Sequence, residues 1–131
     1  MKVVLLNPPY KQRIVRRYKC SYNAPTFLLP PLELMYLGGV ARRGKGVETH
    51  LIDAIGEGLN LKQVCRRIND IQPDIIVGIT GLECMSDDLE VLGQLKESNP
   101  KSVVGVFGYL PTKHPKEVME SSKVDIAFSG E

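Results

Sequence analysis

The chain has 131 residues, of which 43% are hydrophobic and 24% charged, and this predicts one globular domain with a single core. The composition excludes a disordered, collagen-like or disulfide-stapled chain. Residues 11–19 carry five cations and no acid, so subtracting them from the net charge of +2 leaves −3 for the remaining residues. The basic character is therefore local, and we expect no nucleic-acid partner.

Cys20, Cys65 and Cys84 have the spacing of neither a disulfide framework nor a zinc site, which predicts reduced thiols. A strand pattern follows Met1 directly, without the charged and apolar regions of a signal peptide. No run reaches the roughly 18 apolar residues of a membrane span. We therefore expect a cytoplasmic protein with no membrane association.

The first predicted strand, Val3–Leu6, is followed by a connection of 24 residues, 7–30. Because such connections usually have about 2–6 residues, this one is expected to be either functional or disordered. A helical pattern over 31–43 begins with Pro31 and ends before Gly44. The face of that helix predicted to be buried carries Leu32, Met35, Tyr36 and Val40.

Strands and helices alternate along the rest of the chain. The further predicted strands are Val47–Ile52, Asp74–Ile79, Ser102–Phe107 and Val124–Phe128, and the further helices are 60–71, 86–98 and 115–121. Asn60 and Gln63 have the spacing of a capping box. Ser86 is predicted to cap the next helix, with Asp87 and Asp88 in its positive first turn and leucines at 89, 92 and 95 directed inward.

This alternation predicts an α/β fold. We expect a doubly wound, five-stranded parallel sheet in flavodoxin-like or Rossmann-like order 2-1-3-4-5, within a three-layer α/β/α domain spanning residues 1–131. Three strands are apolar almost throughout, as strands buried on both faces should be. In such sheets a ligand binds beyond the carboxyl ends of the strands, where the strand order reverses.

Small, polar and glycine residues follow the predicted strands and allow a ligand to approach the backbone closely. These candidate binding residues are Asn7, Pro8, Pro9, Thr80, Gly81, Leu82, Gly108, Tyr109, Ser129 and Gly130. A dinucleotide fingerprint and a Walker loop are excluded, because no glycine lies between Met1 and Gly38. A phosphoacceptor domain requires an aspartate where Thr80 stands, and the prolines after the first strand lack the N–H groups of a flavodoxin phosphate loop.

Taken together, the motifs resemble a known family along nearly the whole chain. They are NPP (7–9), PPLELMYLGGVARRGKGVE (30–48), IDA (52–54), PDIIVGITGL (73–82), GYLPT (108–112) and VDIAFSGE (124–131). Their order and spacing are similar to the N-terminal cobalamin-binding-like domain of class B radical S-adenosylmethionine enzymes. That family includes methyltransferases and the anaerobic cyclase of magnesium-protoporphyrin monomethyl ester.

The resemblance implies that cobalamin is the cofactor. Thr80-Gly81-Leu82 matches the S-x-L motif that lines the slot for the nucleotide tail, with threonine in place of serine. Gly108 matches the second glycine of the Gly-Gly motif, and Phe107 replaces the first. Residues 7–30 contain no histidine, so the resemblance implies that no histidine of this connection ligates cobalt. Tyr10, Tyr18 and Tyr22 are the candidates to cover the lower face of the corrin.

The resemblance also implies a division of labour within a longer parent enzyme. The C-x-x-x-C-x-x-C triad that holds the four-iron cluster is absent from these residues. We therefore expect an excised domain without catalytic or metal-ligating residues of its own. Its partners would be the C-terminal radical core of the same chain, with S-adenosylmethionine and the cluster, and a small-molecule substrate.

Three functions remain open. The first is a cobalamin-binding module that positions a corrinoid over a radical core, and the second is a module that keeps the fold but has lost the cofactor and serves interaction or substrate specificity. The third is a binder of an anionic small molecule through residues 11–19. This basic segment is interpreted either as an electropositive cover for the ligand or as a solvated loop.

Overall fold

The computed structural model describes residues 1–18, 20–23 and 26–130 and, for residues 20, 21 and 23, the backbone alone. Lys19, the thiol of Cys20 and Glu131, which figure in the sequence predictions, lie outside this description. The strands are β1 (Lys2–Asn7), β2 (Ile14–Arg17), β3 (Cys20–Asn23), β4 (Glu48–Asp53), β5 (Ile75–Ile79), β6 (Val103–Phe107) and β7 (Ile126–Ala127). The helices are α1 (Leu32–Ala41), α2 (Leu61–Ile71), α3 (Met85–Ser98), α4 (Tyr109–Lys113) and α5 (Pro115–Ser121).

Five parallel strands form the main sheet in the order β4-β1-β5-β6-β7. Counted along the chain within this sheet, the order is 2-1-3-4-5, so the predicted α/β fold and topology are confirmed. Leu5 of the central strand β1 lies between Leu51 of β4 and Val77 of β5. The strand order reverses between β1 and β5, and the carboxyl ends of these two strands define the edge at which a ligand is expected.

The two faces of the sheet are covered unequally. On one face, Val4, Leu6 and Ile76 pack with residues of α2, α3 and α5 in the larger core, including Val64 and Leu92. On the other face, a smaller core joins strand residues to Leu34 of α1. Within the described residues α1 is the one helix that contributes to this second core, so much of the face lies open.

The structure corrects the predicted buried face of α1. Leu34 is fully buried, whereas the four residues predicted to face inward, Leu32, Met35, Tyr36 and Val40, are exposed. The error has a physical source, because α1 is apolar at nearly every position and its sequence therefore shows no periodicity that selects one face. Gly38 lies against the sheet, where an added Cβ would be 3.1 Å from Leu5 Cδ1.

Of the two helix caps predicted from the sequence, one is confirmed and the other is wrong. The capping box of Asn60 and Gln63 is confirmed by reciprocal hydrogen bonds of 2.9 and 3.0 Å. Helix α3 instead begins at Met85, and its N-cap is Cys84 with no side-chain capping bond, so the prediction of Ser86 as the cap is wrong. Asp88 lies in the first turn of α3 as predicted, but it is buried and forms an ion pair with Arg16.

The long connection contains secondary structure that the sequence analysis did not predict. Strands β2 and β3 form an antiparallel hairpin, and Ile14 and Val15 are buried. The interpretation of this segment as a solvated loop is therefore wrong for β2. Among the described residues no helix combines the length and the apolar character needed to cross a membrane.

The packing of α3 on β5 depends on Gly78, where an added Cβ would lie 2.8 Å from Leu92 Cδ2. We expect Gly78→Ala to lower the free energy of unfolding by about 1–3 kcal/mol, because it overpacks a filled core. The matched control is Gly93→Ala in α3, where the added methyl is 3.7 Å from the nearest atom. Helix propensity should make that change stabilising by about 1 kcal/mol. Urea denaturation measures both, and a neutral Gly78→Ala would contradict the packing described.

Candidate functional site

Three consecutive residues hold the hairpin of β2 and β3 across the carboxyl edge of the sheet. Arg16 reaches α3, Arg17 forms an ion pair with Glu33 of α1 at 3.2 Å, and Tyr18 reaches α4. Successive side chains of a strand point to opposite faces, so a short strand can contact elements on both sides. The edge at which a ligand was predicted is thus bridged by the chain itself.

Arg16 is the centre of a buried polar network. Its guanidinium donates to both carboxylate oxygens of Asp88, at 2.7 and 3.1 Å, and its side chain and that of Asp88 are fully buried. It also donates to Asn7 Oδ1 and to the carbonyl of Pro8, both at 2.9 Å, and to Cys84 Sγ at 3.3 Å. The planar fork of arginine suits such a set of convergent acceptors.

Asp88 accepts hydrogen bonds from three side chains. Besides Arg16, Thr80 donates its hydroxyl to Oδ2 at 2.9 Å, and the Cys84 thiol donates to the same oxygen at 3.0 Å. Burial raises the pKa of Asp88, and the charge and hydrogen bonds of Arg16 oppose that rise. Burial also disfavours the charged guanidinium, but Asp88 and Cys84 raise the pKa of Arg16 above its ordinary value. Arg16 is therefore a fixed buried cation.

The network continues to the neighbouring strand through Asn7, the last residue of β1. Its amide donates to Asp53 Oδ1 at 2.7 Å, and the same oxygen accepts the backbone N–H of Gly56 at 3.0 Å. Asn7 and Pro8 are buried, while Pro9 and Tyr10 are half-buried. The NPP segment thus links β4, β1 and the hairpin.

The predicted residues after β5 and β6 lie beside this network. Thr80 is buried with its hydroxyl bonded to Asp88, Gly81 is buried and Leu82 is exposed. Gly108 has φ of 145°, and a Cβ there would lie 2.5 Å from the carbonyl oxygen of Thr80. Both the backbone conformation and this close approach require glycine. The backbones at Thr80 and Gly108 therefore leave no slot between them, and Tyr109 next to them is exposed.

Tyr18 connects the hairpin to the end of β7. Its hydroxyl is 2.6 Å from Thr112 Oγ1 and donates to the carbonyl of Gly130 at 2.8 Å. Ser129 and Gly130 are exposed at the edge. These hydrogen bonds hold Tyr18 beside an opening between α1 and the sheet.

That opening leads to an apolar groove of about 890 Å³ between α1 and the exposed part of the sheet. Its floor is formed by β1, β5 and β6, its wall by α1, and its carboxyl end by Tyr18 and the residues after β7. The lining residues include Val3, Leu5, Ile75, Val77, Phe107, Tyr36, Leu37, Ala41, Phe128, Ser129 and Gly130. Arg17 and Glu33 also line the groove, and their charges are paired with each other.

A second, polar cavity of about 760 Å³ lies on the other side of the hairpin. Lys11 and Arg13 line it on one side, and Glu57, Asp87 and Glu90 contribute carboxylates. Lys11 Nζ is 5.5 Å from the centre of the Tyr10 ring. Of the five cations in the basic segment, two are thus paired with carboxylates, two line this mixed-charge cavity, and Lys19 lies outside the description.

The histidines and the remaining tyrosine lie away from the network. His50 is in the edge strand β4 with Nε2 2.8 Å from Glu48, and His114 precedes α5 with Nδ1 3.3 Å from Glu117. Tyr22 is in β3, and its ring centre is 6.5 Å from that of Phe27. In the described part of the chain, no three residues of the His, Cys, Asp and Glu types gather where they could hold a metal ion.

The Arg16–Asp88 pair and the groove were not predicted from the sequence. The run Ile14-Val15 within the basic segment was an available signal, because two β-branched residues favour a strand. The pairing of Arg16 with Asp88 spans 72 positions in the chain, and no local pattern predicts such a contact. The groove exists because part of one sheet face is exposed. The available signal for this was the apolar character of α1 at nearly every position.

We expect removal of Arg16 to be strongly destabilising. Arg16→Met leaves Asp88 buried without its partner, and breaking a buried ion pair in this way costs about 3–5 kcal/mol. Arg17→Met is the matched control, because the half-exposed pair with Glu33 contributes about 1 kcal/mol or less. Urea denaturation of both variants measures the difference, and equal losses would contradict a special role for Arg16.

The thiol of Cys84 makes stability depend on pH in the alkaline range. Burial and the charge of Asp88 raise its pKa from 9.0 to about 11. Because the folded pKa is the higher one, the stabilisation is complete below pH 9 and is lost as the pH rises toward 11. The free energy of unfolding of the wild type minus that of Cys84→Ala should therefore shrink over this interval. A difference that stays constant with pH would contradict this expectation.

The chain was also compared with known proteins. No family model matches it, and no curated protein or solved structure is similar enough to be matched. The candidate functional site is accordingly defined by its geometry: a buried, ion-paired polar network at the carboxyl edge beside an open apolar groove.

Proposed function

We propose that the domain binds cobalamin at the carboxyl edge of its sheet and positions the corrinoid for a radical S-adenosylmethionine core that performs methyl transfer or oxidative cyclisation. The observation that carries the proposal is the apolar groove, which opens at the edge where this sheet topology favours a ligand. Its volume of about 890 Å³ is within the range of small-molecule sites. The resemblance described above names the ligand.

The residues at the edge fit parts of this cofactor. The aromatic base of a nucleotide tail suits the apolar carboxyl end of the groove, which Phe107, Tyr18 and Gly130 line. The backbone of Ser129, an exposed residue, suits the amide groups at the rim of a corrin. Tyr10 is half-buried at the same edge and is the candidate to lie beneath the ring. The bound cofactor would supply cobalt-centred group transfer, while these residues hold and orient it.

Two details modify the site implied by the resemblance. The hydroxyl of Thr80 is bonded to Asp88, so the tail would meet Phe107 and Gly130 rather than this hydroxyl. Arg16 occupies the point where the strand order reverses, and its charge is paired with that of Asp88. The domain would therefore bind the corrinoid through the groove, which lies beside the polar network.

A second candidate function is an interaction module that has lost the cofactor. The observation that favours it is the saturation of the network, because Thr80, Asn7 and Arg16 all bond within the chain. The third function, anion binding by the basic segment, has less support, since Arg16 and Arg17 are paired with carboxylates.

Incubation with hydroxocobalamin, desalting and a visible spectrum test the first proposal. We expect corrin absorbance to be retained at micromolar protein, and we expect Leu37→Trp to reduce retention about tenfold by filling the groove from a position that is 40% exposed and tolerant of substitution. The matched control is Met119→Trp on α5, which is 38% exposed and does not line the groove.

The outcomes separate the candidates. No retention by the wild type would overturn cobalamin binding by this chain and favour the interaction module. Retention that Leu37→Trp leaves unchanged would show that the groove does not take the tail.

A further inference from the structure

The polar cavity of about 760 Å³ gathers connections that follow three neighbouring strands. Residues 9–13 follow β1, residues 55–61 follow β4 and begin α2, and α3 follows β5. In a parallel α/β sheet, ligands bind beyond the carboxyl ends of the strands. The cavity therefore lies where this topology favours a site, and among the described residues none lines both this cavity and the apolar groove.

Charges of both signs line the cavity from different elements without pairing with each other. Lys11 and Arg13 line it from the connection after β1, and Asp87 and Glu90 line it from α3. All four residues are exposed. None of them takes part in an ion pair within the part of the chain that the structure describes. The further carboxylate of the cavity, that of Glu57, is already paired with Arg67.

The buried ion pair fixes the elements that carry these cations and carboxylates. Arg13 lies three residues before Arg16, at the start of β2. Asp87 directly precedes Asp88 in the first turn of α3. Because the fully buried pair of Arg16 and Asp88 joins β2 to α3, the two groups of charges are held in place before a ligand arrives. Such preorganisation lowers the entropic cost of binding.

The cavity also has an apolar surface. Five hydrophobic side chains from four segments of the chain contribute it, namely Leu28, Ile55, Leu59, Leu61 and Val91. A combination of apolar lining with a few charged groups is typical of small-molecule sites, and so is this volume. A ligand that fills the cavity therefore has an apolar body in addition to its charged groups.

We propose that this cavity binds a zwitterion with an apolar body, of the class of apolar amino acids and their dipeptides. The carboxylate of the ligand would lie against Lys11 and Arg13, and its ammonium group against Asp87 and Glu90. The charges of these four side chains sum to zero. A polyanion such as a nucleotide is disfavoured because the two carboxylates of α3 would repel it, and a polyamine is disfavoured by the two cations.

This inference does not rest on cobalamin binding. The proposed corrinoid uses the apolar groove, which has different lining residues. Measurements made without cobalamin therefore test the zwitterion site alone, and their failure leaves the proposed function untouched.

Isothermal titration calorimetry of the wild-type chain provides the test. The probes with both charges are L-leucine and L-leucyl-L-leucine, which differ in the separation of their charges. The probes with one charge are isopentylamine, which is leucine without its carboxylate, and isocaproate, which is leucine without its ammonium group. We expect at least one zwitterion to bind with a Kd of about 1 mM or lower, and each single-charge probe to bind at least about tenfold more weakly.

Two substitutions assign the charges. Arg13→Gln should weaken binding of the zwitterion at least about fivefold and should not weaken binding of isopentylamine. Asp87→Asn should weaken binding of the zwitterion by a similar factor and should not weaken binding of isocaproate. Both residues are exposed, so the variants should fold, which circular dichroism verifies. The matched controls are Arg42→Gln and Asp70→Asn, at exposed positions outside the cavity, and they should bind like the wild type.

Three results would refute the proposal. The first is that neither zwitterion binds to the wild-type chain. The second is that a single-charge probe binds as tightly as the zwitterions. The third is that neither Arg13→Gln nor Asp87→Asn weakens binding relative to the matched controls.

Discussion

The buried ion pair between Arg16 and Asp88 joins the hairpin to the sheet and sets the form of the ligand edge. Taking two charges out of water is costly, and the cost is offset only where hydrogen bonds satisfy both groups. Here Asn7, Pro8, Thr80 and Cys84 supply those bonds, and they come from the ends of β1 and β5 and the start of α3. The pair thereby fixes β2 against α3 and the end of β1, which places Tyr10 and Tyr18 at the edge.

The second constraint is the unequal cover of the sheet. Parallel strands that are apolar on both faces require both faces to be buried, yet among the described residues α1 is the one helix that contributes to the smaller core. The exposed apolar residues of α1 and the groove beside it are the apolar surface that this cover leaves open. The proposed cofactor tail would cover the carboxyl end of the groove.

The polar network and the apolar groove are suited to different roles. The network is polar, buried and saturated, so it is suited to holding the backbone rather than to proton transfer. The groove is apolar and accessible, so it is suited to binding. The proposed corrinoid would contact Ser129 after β7 and the aromatic residues at the mouth of the groove, beside the buried pair of Arg16 and Asp88.

Several features could be predicted from local sequence because local physics determines them. Alternating apolar strands and helical periods specified the sheet order, and the Asn60 capping box formed as its spacing indicated. The buried face of α1 could not be predicted, because a helix that is apolar at nearly every position has no preferred face. Thr80 and Gly108 could be predicted as site residues because each follows a strand. The contacts of Thr80 with Asp88 and of Gly108 with the Thr80 carbonyl could not be predicted, because only folding brings these groups together.

The sequence by itself determined the α/β class, the parallel sheet and the edge at which a ligand is expected, since hydrophobic period and turn chemistry act over a few residues. The tertiary structure decided that the basic segment contributes the first strand of a hairpin, that Arg16 is buried against a residue 72 positions away, and that the described residues leave much of one sheet face open. These outcomes depend on which surfaces meet after folding, and long-range pairing of charges and uncovered apolar area leave no periodic signal in the chain.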